Sequence, residues 1–572
     1  MATELDRKEV VVVGMGWAGS IVAAELAKAG KNVIGLERGA ERKTEDFLLA
    51  HDEYKYVIGQ ELMQDLSKES MTFRSNPDEE ALPMRQFGAY LIGTDVGGGG
   101  VHWNGDTWRY LPYDFEIKSQ TDEKYGEDKI SDDYLIQDWG ITYDEMEPYY
   151  EKYELTSGVS GEQNPLAPER NIPFPTPPML MTPLLQRFTD ACENVGLHPF
   201  RLPSSNLSEE YTNPDGQTIA ACQYCGFCER FGCEWGAKAS PITTTIPAAK
   251  EHDNFELRTF ANVVEITKED DEVTGVTFVD TRSHEEFFQP ADVVVVTSHT
   301  TNNTKLLLHS DLGTPYDPET GEGTVGKNYT HHITPEVYGF FDWEYNASMG
   351  AGSLGVSVDD YNGDHFDHSD LDFIHGGSIT MKQLGKRPIA ENAVPEGVKN
   401  WGAEFKTESL KAYNTSVAAT SQCITLPHRN NYLSLDPEYT DDYGRPLLRV
   451  TYDFTDHDRA AHEFMTDRIQ EIIEEMGAVS LNRGTLDEHF DIYKPLNDHI
   501  LGGTIVGADP ETSVLNNYCQ MWDEDNVFVI GGSSLPHNGG YNPTCTVGAF
   551  AYRAAEGIEM YLDDNGPLID AE

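Results

Sequence analysis

A strand, a glycine turn, a helix, a second strand and an acid follow one another at the start of this chain. Residues 9–13, EVVVV, form a continuous β-branched apolar run, the pattern of a parallel strand buried on both faces. Gly14-Met15-Gly16-Trp17-Ala18-Gly19 comes next, then the helical stretch SIVAAELAKAG, with Gly30 as its C-cap, then the strand NVIGLE ending at Glu37. Gly14, Gly16 and Gly19 allow a tight turn and let the backbone approach a pyrophosphate at the helix N-terminus. Glu37 stands where a carboxylate accepts hydrogen bonds from ribose hydroxyls. A lone GxGxxG is weak, but in this setting it commits the N-terminus to a Rossmann-like dinucleotide domain. The motif does not separate NAD from FAD.

Two later features favour FAD. Gly97-Gly98-Gly99-Gly100-Val101-His102-Trp103-Asn104 is a second glycine loop, and a long dinucleotide lying across a sheet needs close backbone approach at both ends. The C-terminus returns to the nucleotide pattern with the strand NVFVIGG (526–532), ending at Gly532, then the loop SSLPHNGGYNPT and a helix over 545–562. Asn542, Pro543 and Thr544 precede that helix, whose N-terminus can stabilise negative charge on a reduced flavin ring. Between these parts, 161–184 is proline-rich and reads as an extended connection. FELRTFANVVEITK and EVTGVTFVD read as a strand pair over 255–279, and Val263 within it is taken as a further cofactor contact. ADVVVVT reads as a buried strand before a helix at NNTKLLLHS. Residues 331–455 look strand-rich, and an amphipathic helix is expected over about 456–476. The fold class is α/β plus β.

Cys222, Cys225, Cys228 and Cys233 crowd into the run ACQYCGFCERFGCEWGAKAS. Structural zinc sites usually take two close pairs separated by a longer stretch, whereas successive short gaps are the pattern of iron–sulfur ligation. A zinc knuckle or a reduced cysteine cluster is the bland alternative. The other four cysteines, Cys192, Cys423, Cys519 and Cys545, are scattered, and so long a chain is no disulfide scaffold. Acidic residues number 97 against 41 Lys and Arg, a formal net charge of −56, which makes nucleic acid a poor partner. The acid is dispersed, which favours a salt-adapted acidic surface over a single docking face for a basic electron acceptor. No apolar run reaches membrane-spanning length, and no signal peptide is visible before the first strand.

Taken in order, these pieces resemble the glucose–methanol–choline (GMC) flavoprotein oxidoreductases over nearly the whole chain. WGITYDEMEPYYEKYELTSGVSG (139–161), TVGKNYTHH (324–332), DHILGGTIVGADPETSVLN (498–516) and NPTCTVGAFAYRAAEGI (542–558) carry the resemblance. It implies a Rossmann-like FAD-binding domain assembled from 1–115, 215–330 and 495–572, with a cysteine loop over 220–240. A substrate-binding domain on a largely antiparallel sheet, with connecting segments, would take 116–214 and 331–494. Within the family, the cysteine run is similar to the flavoprotein subunits of bacterial sugar and sugar-acid dehydrogenases. There a [3Fe-4S] cluster sits on three cysteines, which match Cys222, Cys228 and Cys233; Cys225 is a departure that would allow [4Fe-4S].

The resemblance also implies the chemistry. An alcohol carbon of a sugar, polyol or sugar acid would lose a hydride to flavin N5 as His499 takes the hydroxyl proton. Asn542 would hydrogen-bond the hydroxyl and hold it towards that base. His537 is the competing histidine, read as a loop residue near the flavin or in solvent, and His331 and His332 read as structural. His102 is the residue to which some family members would attach FAD covalently. Arg109 is available for a substrate carboxylate. The implied partners are a small subunit and a cytochrome c or quinone-linked acceptor, with the membrane reached only through them. The chain would fold in the cytoplasm and be exported with its partner to the outer face of the membrane. The alternative is a pyranose-type oxidase that uses O₂ and has a structural metal site at the cysteines.

Overall fold

The computed structural model describes residues 2–49, 51–86, 88–269, 272–494, 499–564 and 566–569. Asp498, the first residue of the segment 498–516, lies outside the described residues.

The first sheet is built round the N-terminal strand Lys8–Val13, whose Val10, Val11 and Val12 are completely buried. It pairs in parallel with Val33–Leu36 on one side and with the end of the long strand Glu286–Val296 on the other. Phe255–Arg258 and Val527–Val529 extend the parallel part at its two edges. Three stretches far apart in the chain thus share one sheet, because each supplies a short run apolar on both faces. The strand expected over 255–268 is two strands. The chain breaks after Arg258, Phe260 takes a left-handed conformation (φ +60°), and Ala261–Glu269 turns away to form an antiparallel hairpin with Glu272–Asp280.

The first helix, Trp17–Lys28, packs on the C-terminal helix Thr544–Asp564, which also covers Tyr143–Ser157. Gly30 ends the first helix at φ +83°, its N–H bonded to the Ala27 carbonyl and that of Lys31 to Leu26, as a left-handed C-terminal turn requires. Gly19 permits the close contact between helix and strand. A Cβ there would lie 2.0 Å from the Gly14 carbonyl oxygen and 2.5 Å from Thr297 Oγ1.

A second sheet has six strands, all antiparallel, in the order Ser480–Arg483, Glu336–Phe340, Ser416–Cys423, Gly377–Lys382, Gly355–Val358, Phe200–Arg201. Side chains alternate between its faces. Val337, Val356, Val358, Ile379, Met381, Val417, Ala419 and Cys423 point into a core closed by Asp456–Glu475 and Pro183–Asn194. Ser357, Ser378, Thr380, Lys382, Thr420 and Gln422 share the opposite, polar face by register. Asp456–Glu475 is the expected amphipathic helix, opened by a reciprocal cap between Thr455 and Asp458. Residues 331–455 also contain a helix the pattern did not predict, Gly402–Ala412. Among the described residues, no helix is long and apolar enough to cross a membrane.

Candidate active site

A cavity of about 900 Å³ opens along the C-terminal edge of the parallel sheet. Gly14, Gly16, Glu37, Gly98, Gly99, Gly100, Val263, Gly532, Pro543 and Thr544 line it, joined by Trp17, Trp103, Ile500 and Leu501. The two glycine loops touch: the Gly97 N–H donates to the Met15 carbonyl at 2.8 Å. Glu37 accepts from the Met15 N–H (3.0 Å) and the Gly39 N–H (3.1 Å), which holds its carboxylate at the end of the second strand. Gly19, Gly97, His102, Asn104 and Asn542 are not part of the wall. His102 ends the helical turn Gly99–His102, whose glycines do form wall; its own ring is buried. The Asn104 carbonyl accepts from Asn206 Nδ2 at 2.7 Å and so ties the second glycine loop down.

His499 and Asn542 meet beside this cavity. His499 Nε2 lies 2.9 Å from Asn542 Nδ2, and His499 Nδ1 lies 3.0 Å from Gln422 Oε1. Ile500–Leu501 pairs with Thr330–His331, and this short ladder carries His332 to His499 and Asn542. The His332 ring stands edge-on to His499 at 5.2 Å, and its Nε2 donates to the Gly539 carbonyl at 2.6 Å. Burial pushes the His332 pKa down to about 4. Burial, then the neighbouring His332, His331 and Lys382, holds His499 well below the usual histidine range. Both rings are neutral at neutral pH, which leaves His499 in the form a base needs. The Asn542 side-chain carbonyl oxygen is buried with no hydrogen-bond partner among the described residues, as expected where a ligand completes the set.

His332, read as structural, stands edge-on to the His499 ring. Two expectations change. His537 is fully buried rather than in solvent: Trp139 Nε1 donates to its Nε2 at 2.8 Å, and its Nδ1 lies 2.9 Å from the Asn538 carbonyl. Arg109 is not available to a substrate. Its guanidinium forks onto Glu154 at 2.7 and 2.9 Å, also reaches Glu147 at 3.0 Å, and Arg170 joins the same carboxylate. Gln422 was missed altogether. The hint available was its place in an alternating strand, TSQC, where a polar residue sits between apolar-face positions.

Cys222, Cys225, Cys228 and Cys233 surround one small pocket with Asn206, Phe227, Trp235 and Lys238. Tyr224 and Arg230 between them adopt left-handed backbone (φ +54° and +68°), so the loop is bent sharply inward. As free thiols, Cys222 and Cys228 are pushed up to about 12, by burial first. Among the described residues no three metal-binding side chains converge as they would on a single ion. Lys238 Nζ donates to the Trp103, Cys228 and Phe231 carbonyls at 2.7, 2.8 and 2.9 Å. Trp103 lines the large cavity and Lys238 the cysteine pocket, so the hydrogen bond between them joins the two walls.

A dinucleotide-sized cavity on a Rossmann-type sheet, with both glycine loops and the start of the C-terminal helix in its wall and a histidine–asparagine pair beside it, is the frame of a flavoprotein oxidoreductase. The chain belongs to the GMC oxidoreductase family, matching its two parts over residues 137–334 and 427–551. It is 39% identical to the gluconate 2-dehydrogenase flavoprotein of Pantoea cypripedii, over 100% of this chain and 97% of that one. It is 30% identical to 2-methyl-1,2-propanediol dehydrogenase of Mycolicibacterium austroafricanum, over 99% and 97%. The fructose dehydrogenase large subunit of Gluconobacter japonicus is 27% identical, over 98% and 99%. Formate oxidase of Aspergillus oryzae shares the fold with a TM-score of 0.61 at 13% identity, covering 98% of this chain and 100% of the other. The protein is an FAD-dependent oxidoreductase that acts on CH–OH groups.

Proposed function

We propose that this chain is the flavoprotein of a dehydrogenase that oxidises an alcohol carbon of a sugar, polyol or sugar acid, and that it passes the electrons on through an iron–sulfur cluster. The observation that carries the first half is the neutral His499, held between Gln422 and Asn542 beside the dinucleotide cavity. FAD, when bound, supplies the two-electron acceptor. Gly14, Gly16, Glu37, Gly98–Gly100, Val263, Pro543 and Thr544 would hold it, and His102 would carry the bond where the attachment is covalent. His499 Nε2 takes the hydroxyl proton. The Asn542 amide turns the hydroxyl towards that nitrogen.

The cysteine pocket supports the second half. Cys222, Cys228 and Cys233 would hold a three-iron cluster and Cys225 a fourth iron. Trp103 and Lys238 place the pocket next to the flavin cavity. Leu48, Leu49 and Trp235 are exposed, and the Leu49 N–H bonds Glu234 at 2.7 Å beside the pocket, an apolar rim suited to a protein acceptor such as a cytochrome-bearing subunit. Export with such a partner to the outer face of the membrane belongs to the same reading.

His499→Asn should lower turnover with an artificial acceptor by roughly 10²–10⁴-fold while keeping the flavin spectrum. Near-wild-type turnover would sink the assignment of the base. EPR of the same preparation should show an iron–sulfur signal that Cys228→Ser removes. A featureless spectrum, with peroxide as the product, would favour the oxidase instead.

A further inference from the structure

We infer that Gln422 is a positioning residue for the reaction: its side-chain carbonyl holds His499 in the tautomer that leaves Nε2 free to accept a proton. The inference rests on the reading of His499 as the base.

Only one edge of the His499 ring faces the reaction. Asn542, 2.9 Å from Nε2, directly precedes Pro543 and Thr544 in the wall of the flavin cavity. Nε2 is therefore the nitrogen on the cofactor side. A neutral imidazole carries one proton, and it removes a proton at Nε2 only when its own sits on Nδ1. Gln422 Oε1, an acceptor 3.0 Å from Nδ1, places it there, in agreement with Asn542 Nδ2, a donor 2.9 Å from Nε2. His332 does not contest the arrangement, because its Nε2 is committed to the Gly539 carbonyl.

The strand puts Gln422 in place. It pairs with Ser378, whose hydroxyl donates to the Gly540 carbonyl at 2.9 Å, so this end of the polar face meets the loop that carries Asn542. A slip of one residue would turn Gln422 into the apolar core. The titratable groups acting on His499 among the described residues are His331, His332 and Lys382, and Lys382 is paired with Asp106 at 2.5 Å. A carboxylate at Nδ1 would orient the ring and also stabilise the imidazolium. An amide orients it without raising its basicity, which keeps His499 neutral in this buried setting.

The test uses flavin-loaded Gln422→Met and Gln422→Glu. Kinetics with an artificial acceptor are read beside the nitrogen-15 spectrum of ring-labelled histidine, in which His499→Asn identifies the His499 signal. Gln422→Met should lower kcat roughly tenfold or more with KM within about twofold, and the His499 signal should change from the Nδ1–H form to a tautomer mixture. Gln422→Glu should restore the Nδ1–H form and move the acidic limb of kcat/KM to higher pH, because the carboxylate favours the protonated ring. An unchanged tautomer and kcat in Gln422→Met would overturn the inference. So would a raised KM with kcat intact, which would make Gln422 a substrate contact. If His499→Asn stays active, the assignment of the base fails instead, and the nitrogen-15 signal still reports whether Gln422 holds the ring.

Discussion

At Arg109 the side chain has exchanged one role for another. Its guanidinium is 8% exposed and the Glu154 carboxylate 1%, and two arginines share that carboxylate. Burial is what makes such a group expensive to disturb, since a charge left unpaired in the interior costs far more than an exposed ion pair gains. Replacing Arg109 with Met should cost about 3 kcal/mol in denaturant unfolding. The preference of the enzyme between sugar acids and neutral sugars should not change. A selective loss of activity on sugar acids would return Arg109 to the substrate site. His499 shows the reverse case. Its partners on either side are neutral amides, so their hydrogen bonds decide which nitrogen carries the proton.

At the level of elements, the contact between the first helix and the first strand decides whether the cofactor can be held. Gly14 turns at φ +94° and Gly19 sits against its carbonyl, so the helix N-terminus is held at the cavity, with Gly14 and Gly16 in the wall. Gly19→Ala would force the helix off the strand. The variant should purify with little flavin and lose about 1–3 kcal/mol of stability, as overpacking of a tight contact does. Full flavin content measured by absorbance would refute this. The cysteine loop works differently. Its left-handed residues and the three carbonyls gathered by Lys238 fasten it to Trp103, so its position depends on the second glycine loop and not on a helix or strand of its own.

For the whole molecule, the net charge of −56 is the dominant long-range force. Self-repulsion of that size opposes compaction, and it weakens as the Debye length falls from about 10 Å at 0.1 M salt to about 3 Å at 1 M. The melting temperature should therefore rise between those two conditions, as followed by calorimetry. A flat or falling trend would mean that the acids are already paired locally. Screening would also ease the approach of an anionic sugar acid, so KM for such a substrate should fall over the same range. What the chain itself made legible was local: the strand, glycine turn, helix and acid of residues 9–37, and the four cysteines within twelve residues, are short enough for spacing to imply geometry. That His499 and Asn542 meet was also readable, through resemblance to a family. The rest depended on register and packing between distant segments. Gln422 is 77 residues from His499 and became its partner only because an antiparallel ladder put it on the polar face. His332 arrived beside His499 by the pairing of two short strands, and Arg109 was consumed by Glu154, 45 residues away. Spacing in sequence specifies neighbours along one element. Which side chains meet across elements, and which charges are already satisfied, is decided when the apolar faces find each other and set the register.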